Sequence, residues 1–182
     1  MRTALGAIEV QSIPKGIEAG DAMLKAAHVE LISAGTVCAG KYVVVVAGEV
    51  DAVNASVQAG AAMAGGKLID SLLIPRIHPQ VPRAINACTD VGSVQAVGTM
   101  ELFSVCAAIQ AADAAVKAAT VDLIEVRLGR GLGGKSFVVL TGDVASVRAA
   151  VESGRTAARE KGLVSDCTVV PSPHPDLVKA LL

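Results

Sequence analysis

The chain has 182 residues, 52% of them hydrophobic but only 2% aromatic, with no Trp, one Tyr and two Phe. A core of that composition is built from Val, Ile, Leu and Ala, and the length suffices for one large domain or two small ones without disulfides. A formal net charge of −1 with no Lys/Arg block removes the attraction that dominates nucleic-acid binding, and few rings are present for base stacking, so no nucleic-acid partner is expected. Residues 4–11 alternate as a strand does. Ser12 followed by Pro14 marks a helix start, because Pro is preorganised for the first turn. Ile17, Gly20 and Leu24 then share one helical face, with Met23 at its margin. Val29–Ser33 and Lys41–Ala47 read as short strands, and the run Val43-Val44-Val45-Val46 is apolar enough to be buried on both faces. Asp51–Gly65 is an Ala-rich helix with Val53, Val57, Ala61 and Ala64 at helical spacing, and Leu68–Ile74 is a closing strand.

The same series then recurs. Ala4-Leu5-Gly6-Ala7-Ile8-Glu9 returns as Ala96-Val97-Gly98-Thr99-Met100-Glu101, and Asp21-Ala22-Met23-Leu24-Lys25 as Asp113-Ala114-Ala115-Val116-Lys117, both at an offset of 92 residues. Gly40-Lys41 and Gly48-Glu49-Val50 return at an offset of 94, so two extra residues lie between Ile124 and Lys135. Pro75-Arg76-Ile77-His78-Pro79 matches Pro171-Ser172-Pro173-His174-Pro175 at 96. The expectation is an α/β chain of α+β, ferredoxin-like kind: two tandem βαββαβ domains, 1–79 and 96–182, each a four-stranded sheet with helices on one face. The aperiodic stretch 80–95 joins them, with a helical turn around Arg83–Ala87, and Asp176–Leu182 closes the chain as a short helix.

Four cysteines, at 38, 88, 106 and 167, form no CxxC pair and no Cys/His run of metal-ligand spacing. The N-terminus enters the strand pattern without a signal peptide's apolar stretch and cleavage site. No apolar segment reaches the about 20 residues that span a bilayer. A reduced, cytoplasmic, soluble protein without a membrane partner is expected. Cys106 and Cys167 read as small apolar core residues, and Cys88 as unpaired in the connecting stretch.

The string Ala-x-Gly-x-(Ile/Met)-Glu, the Asp-Ala-x-x-Lys helix and the Pro-x-x-His-Pro end, each present twice, resemble the bacterial microcompartment shell domain. The resemblance covers nearly the whole chain and is strongest to the tandem-domain, trimeric type of propanediol-utilisation compartments. It implies a structural shell subunit rather than an enzyme, a homotrimer whose six domains imitate a hexamer, and packing against other shell proteins around enclosed enzymes. Gly35, Thr36, Val37, Cys38, Ala39 and Gly40 resemble the family's pore loop, and Arg130, Gly131, Leu132, Gly133 and Gly134 its counterpart in the second repeat. Lys25, Lys117, Arg76, His78 and His174 would lie at the shell edge, with Ser172 standing in the second repeat where the first has Arg76.

By the same resemblance, Cys38 of three chains would bind a [4Fe–4S] cluster at the ring centre, for electron transfer across the shell, with enclosed redox enzymes as partners, or for cluster storage. The second repeat has no Cys at that place, so a trimer presents three thiolates; zinc with three thiolates and a water is the other metal open to them. A metal-free shell subunit with a central metabolite pore is the main alternative. A regulatory or enzymatic pair of ferredoxin-like domains is the third, with no nucleophile–base pair or carboxylate–histidine group to recommend it.

Two further signals point elsewhere. Gly129-Arg130-Gly131-Leu132-Gly133-Gly134-Lys135-Ser136 fits the phosphate-loop pattern G-x-x-x-x-G-K-S, but that chemistry needs a helix to begin at the Lys so that its amides face the phosphates. Here the strand-like run Phe137–Thr141 follows. Glu9 and Glu101 recur at strand centres in two separate sheets, which suits structural hydrogen bonding better than paired acid–base work.

Overall fold

The computed structural model describes residues 4–159 and 163–182; the first three positions of the domain expected at 1–79, and positions 160–162, lie outside the described residues. The chain divides into two compact units, one of Met1–Ile77 with Arg130–Gly134, the other of His78–Gly129 with Lys135–Leu182.

In the first unit the elements are β1 (Ala4–Val10), α1 (Ile13–Ala26), β2 (Glu30–Val37), β3 (Lys41–Gly48), α2 (Val50–Ala64) and β4 (Leu68–Ile74). The strands form one antiparallel sheet in the order β2-β3-β1-β4. β1 sits inside the sheet and is buried at every position, and Val43, Val44, Val45 and Val46 of β3 are buried too. Both helices cover one face: Ala19 and Met23 of α1 and Val53 and Val57 of α2 join Ile8, Val44 and Val46 in one cluster. α1 starts where Ser12 Oγ accepts the Lys15 N–H at 3.4 Å, with Pro14 in its first turn.

The inward face of α1 is not the one the apolar spacing suggests. Gly16, Ala19, Gly20 and Met23 are buried, whereas Ile17 and Leu24 are 56% and 41% exposed. The cause is close approach: a Cβ on Gly16 would stand 2.3 Å from Tyr42 Cβ, and one on Gly20 3.2 Å from Val44 Cγ2. The helix therefore turns its small residues to the sheet. β2 also runs further than Ser33, because Gly35, Thr36 and Val37 continue the ladder opposite Val43, Tyr42 and Lys41.

The second unit contains α3 (Gln80–Ile85), β5 (Ala96–Leu102), α4 (Val105–Ala118), β6 (Asp122–Arg127), β7 (Ser136–Gly142), α5 (Val144–Arg159), β8 (Val164–Val170) and α6 (Pro175–Leu181). Its sheet runs β6-β7-β5-β8. Ala96 opposes Gly142 as Ala4 opposes Gly48, so the repeat is one of register as well as of sequence. The connecting segment forms its helix at Gln80–Ile85, slightly earlier than the Arg83–Ala87 turn expected, because Gln80 is tied to the edge strand β6. Its amide donates to Asp122 Oδ1 at 3.1 Å and accepts the Leu123 N–H at 2.9 Å. Thr89 Oγ1 donates to Ile124 O at 2.9 Å further along. These bonds occupy polar groups that an open sheet edge would expose. Val91 and Val94 of the connector and Leu181 of α6 pack against Val97, Ile124 and Val139.

Cys106 is fully buried in α4, and Cys88 is exposed. Cys167 is only half-buried, not a core residue: it lies on the edge strand β8, in a groove it shares with Arg155 of α5. Burial still pushes its thiol above the ordinary value.

Candidate functional site around Cys38

Two loops of unequal length build the site. Between β2 and β3 only Cys38, Ala39 and Gly40 intervene, and Gly40 closes the turn at φ +74°. Between β6 and β7 the chain makes a longer excursion, 128–135, in which Gly129, Gly131, Gly133 and Gly134 all adopt positive φ. Glycine carries such a conformation without steric cost. The part Arg130–Gly134 belongs by its contacts with the first unit.

There the Gly131 N–H donates to Cys38 Sγ at 3.3 Å, and a Cβ on Gly134 would stand 3.7 Å from the Cys38 carbonyl oxygen. Backbone N–H groups, Gly131 foremost and then Leu132, hold the Cys38 thiol below its ordinary pKa, since an amide dipole favours the charged form of sulfur. Cys38 and its neighbours Gly35, Thr36, Val37, Ala39 and Gly40 line an open cavity of about 660 Å³ together with Ile13, Arg130 and Gly131. Gly35 leaves room for the Arg130 guanidinium, whose Nη2 would lie 3.1 Å from an added Cβ. Thus the two loops singled out from the sequence meet, the cysteine coming from one and amides plus one positive charge from the other. Sequence spacing gave no sign of that contact, and Ile13, at the start of α1, was not anticipated in the lining.

Among the described residues no group of three or more His, Cys, Asp and Glu could hold a metal ion. The donor set at Cys38 is therefore one sulfur per chain.

The charged residues expected at an outer edge, Lys25, Lys117, Arg76, His78 and His174, are not among the residues that line this cavity. Lys25 pairs with Asp21 at 2.6 Å, with both side chains exposed. Lys117 pairs with Asp113, which is buried and also accepts the His78 N–H at 2.8 Å. The second repeat thus links Lys117 through Asp113 to the backbone at His78 in a way that Lys25 is not, and the Asp of the repeated Asp-Ala-x-x-Lys motif is what makes that link. Arg76 is exposed in the turn after β4. His174 caps α6, its Nδ1 accepting the Asp176 N–H at 3.2 Å.

The phosphate-loop pattern has no helix behind it: β7 begins at Ser136, and Lys135 Nζ donates to Glu101 Oε2 at 2.8 Å instead. Glu9 is bonded in the same manner by Lys41 at 2.7 Å. Both glutamates are held as ion pairs within a sheet.

The family model described as "BMC domain" matches this chain twice, at residues 4–77 and 96–173. The chain belongs to the BMC-domain family. The full chain is 44% identical to the bacterial microcompartment shell protein PduT of Citrobacter freundii, over 182 residues and 99% of that protein. A stretch of 88 residues, 48% of the chain, is 43% identical to the shell protein PduA of the same organism and covers 91% of it. Among solved structures, a microcompartment protein of Desulfitobacterium hafniense DCB superposes with a TM-score of 0.92 at 50% identity, over 98% of this chain and 99% of that one. The two matched stretches contain both four-stranded sheets and the helices α1, α2, α4 and α5, while α3 and α6 lie outside them.

Proposed function

We propose that three copies of this chain close into a pseudohexameric ring whose centre binds a [4Fe–4S] cluster through Cys38 of each. The coarser reading stands on the family: the chain is a structural shell subunit of a bacterial microcompartment and not an enzyme, being a tandem of BMC domains with full-length identity to a shell protein. Among the described residues no helix is long and apolar enough to cross a membrane.

The observation that carries the cluster is the state of the Cys38 sulfur. Metal binds the thiolate, not the thiol, and here a sulfur open to a cavity accepts a backbone N–H and is favoured in its charged form. The residues fit the group only in part within one chain. Iron–sulfur clusters are commonly held by four cysteines, and one sulfur per chain leaves three for a trimer with the fourth iron open to an outside ligand. When bound, such a cluster supplies one-electron transfer or a store of iron and sulfide. The roles of this chain are to present the sulfur on a short turn, to favour its charged form through backbone N–H groups, and to leave the cavity open. Lys25, Arg76, Lys117, His78 and His174 would serve contacts between rings, with other shell proteins as partners and enclosed redox enzymes as electron donors or acceptors.

A second reading is a metal-free ring whose centre passes a small metabolite, favoured by the open cavity lined by Thr36 and Arg130. Anaerobic purification separates the two. The cluster reading expects a brown protein with broad visible absorption, iron at about four per trimer, and loss of both in Cys38→Ser with the trimer intact on sizing. A colourless, iron-free trimer after anaerobic reconstitution would overturn it in favour of the pore.

A further inference from the structure

We propose that the glycine loop Arg130–Gly134 of the second repeat positions the Cys38 sulfur and draws charge from it through backbone N–H groups. One repeat then supplies the metal ligand and the other sets its redox behaviour. The inference rests on the cluster reading above.

The argument starts from the difference between the repeats. Equivalent strands are joined by three residues in the first and by eight in the second. The longer loop carries no sulfur, carboxylate or imidazole of its own, so it adds no metal ligand. What it offers is backbone: Gly131, Gly133 and Gly134 in positive φ, a conformation in which successive N–H groups can turn to one side and form an anion-binding concavity. The group inside that concavity is the Cys38 sulfur. The Gly131 N–H donates to it at 3.3 Å, the Leu132 amide also acts on it, and the loop runs on past the Cys38 carbonyl at Gly134.

Hydrogen bonds to a ligating sulfur remove negative charge from it and are among the factors that set the potential of an iron–sulfur cluster. A reduced cluster carries one more electron than an oxidised one, so donors aimed at the sulfur stabilise it more, and the potential rises. The loop also fixes where the sulfur points, because Cys38 lies on a three-residue turn whose other members, Ala39 and Gly40, are small.

Two measurements test this. In the metal-free full-length protein, exchange of the Gly131 amide hydrogen, followed by NMR, should be about two- to tenfold faster in Cys38→Ala than in the wild type, the change expected from losing one modest hydrogen bond. Equal exchange with and without the sulfur would overturn the proposal. In the iron-loaded protein, Leu132→Pro removes one N–H while Leu132→Ala keeps it. An EPR-monitored redox titration should give Leu132→Pro a lower potential than both Leu132→Ala and the wild type at equal iron content. Matching potentials in the two variants would overturn the proposal. If Leu132→Pro fails to load iron, the exchange comparison decides by itself. If the wild type holds no iron, the cluster reading falls, and the exchange comparison still decides whether the loop holds the sulfur.

Discussion

Ser136 opens β7 with a fully buried hydroxyl that has no hydrogen-bond partner among the described residues. A buried polar atom left unpaired costs free energy that an apolar replacement does not. Ser136→Ala is therefore expected to raise unfolding stability by about 1 kcal/mol, read by urea denaturation. Close by, Glu101 accepts from Lys135 and from Ser165 Oγ, each at 2.8 Å. Lys135 first, and then Ser165, hold its carboxyl below the ordinary glutamate range. A depressed folded value means that the stabilisation is present at pH above the unfolded value and is lost as pH falls through the folded one. Glu101→Gln should accordingly be less stable than the wild type at pH 7, and the two denaturation curves should converge in acid. A gap that persists at pH 2 would point to packing instead. Glu9 is fully buried whereas Glu101 is not, so Lys41→Met, which takes the lysine from a buried carboxylate, should destabilise more than Lys135→Met.

At the level of elements, each helix pair crosses at a glycine. A Cβ on Gly60 of α2 would stand 2.5 Å from Met23 Cγ, and one on Gly154 of α5 2.6 Å from Met100 Sδ. The two sites differ in what can yield. Around Gly60 the obstacles are side-chain atoms of Met23 and Ile8, which can shift. At Gly154 the Ala111 carbonyl oxygen of α4 also lies at 2.8 Å, and backbone cannot swing aside. Replacing a helical glycine by alanine contributes up to about 1 kcal/mol in propensity, while overpacking costs about 1–3 kcal/mol. Gly60→Ala should thus destabilise less than Gly154→Ala, which should lose about 1–3 kcal/mol, measured by thermal or urea unfolding. Equal losses at both sites would contradict this account of the crossing.

For the whole molecule, the proposal that rings meet at their edges puts different demands on equivalent lysines. Lys25 and Asp21 are both exposed, and such a pair contributes little to a subunit's own stability. Lys25→Ala should leave unfolding stability and iron content unchanged and weaken the formation of extended protein sheets, seen by electron microscopy. Lys117 has a second task, since its partner Asp113 also receives the His78 N–H. Lys117→Ala should lower unfolding stability as well as assembly. Unaltered sheets in Lys25→Ala would remove that lysine from the edge contact.

Much of this was legible in the sequence because the repeat is written in local terms. Strand alternation, the Ser12–Pro14 helix start and the Val43–Val46 run depend on residues near one another, and the second copy repeats them, so fold class, duplication and family followed from the amino-acid order. Tertiary structure alone decided which face of α1 turns inward, because glycines at 16 and 20 admit Tyr42 and Val44 where a periodicity count looks for large side chains. It also decided that Cys167 sits in an edge groove and that the connector is stitched to β6 through Gln80 and Thr89. Above all, the contact between Gly131 and Cys38 joins residues 93 positions apart through a backbone N–H. A backbone donor is common to every residue but proline, so nothing in the side-chain alphabet marks it, and only the folded chain shows which sulfur it reaches.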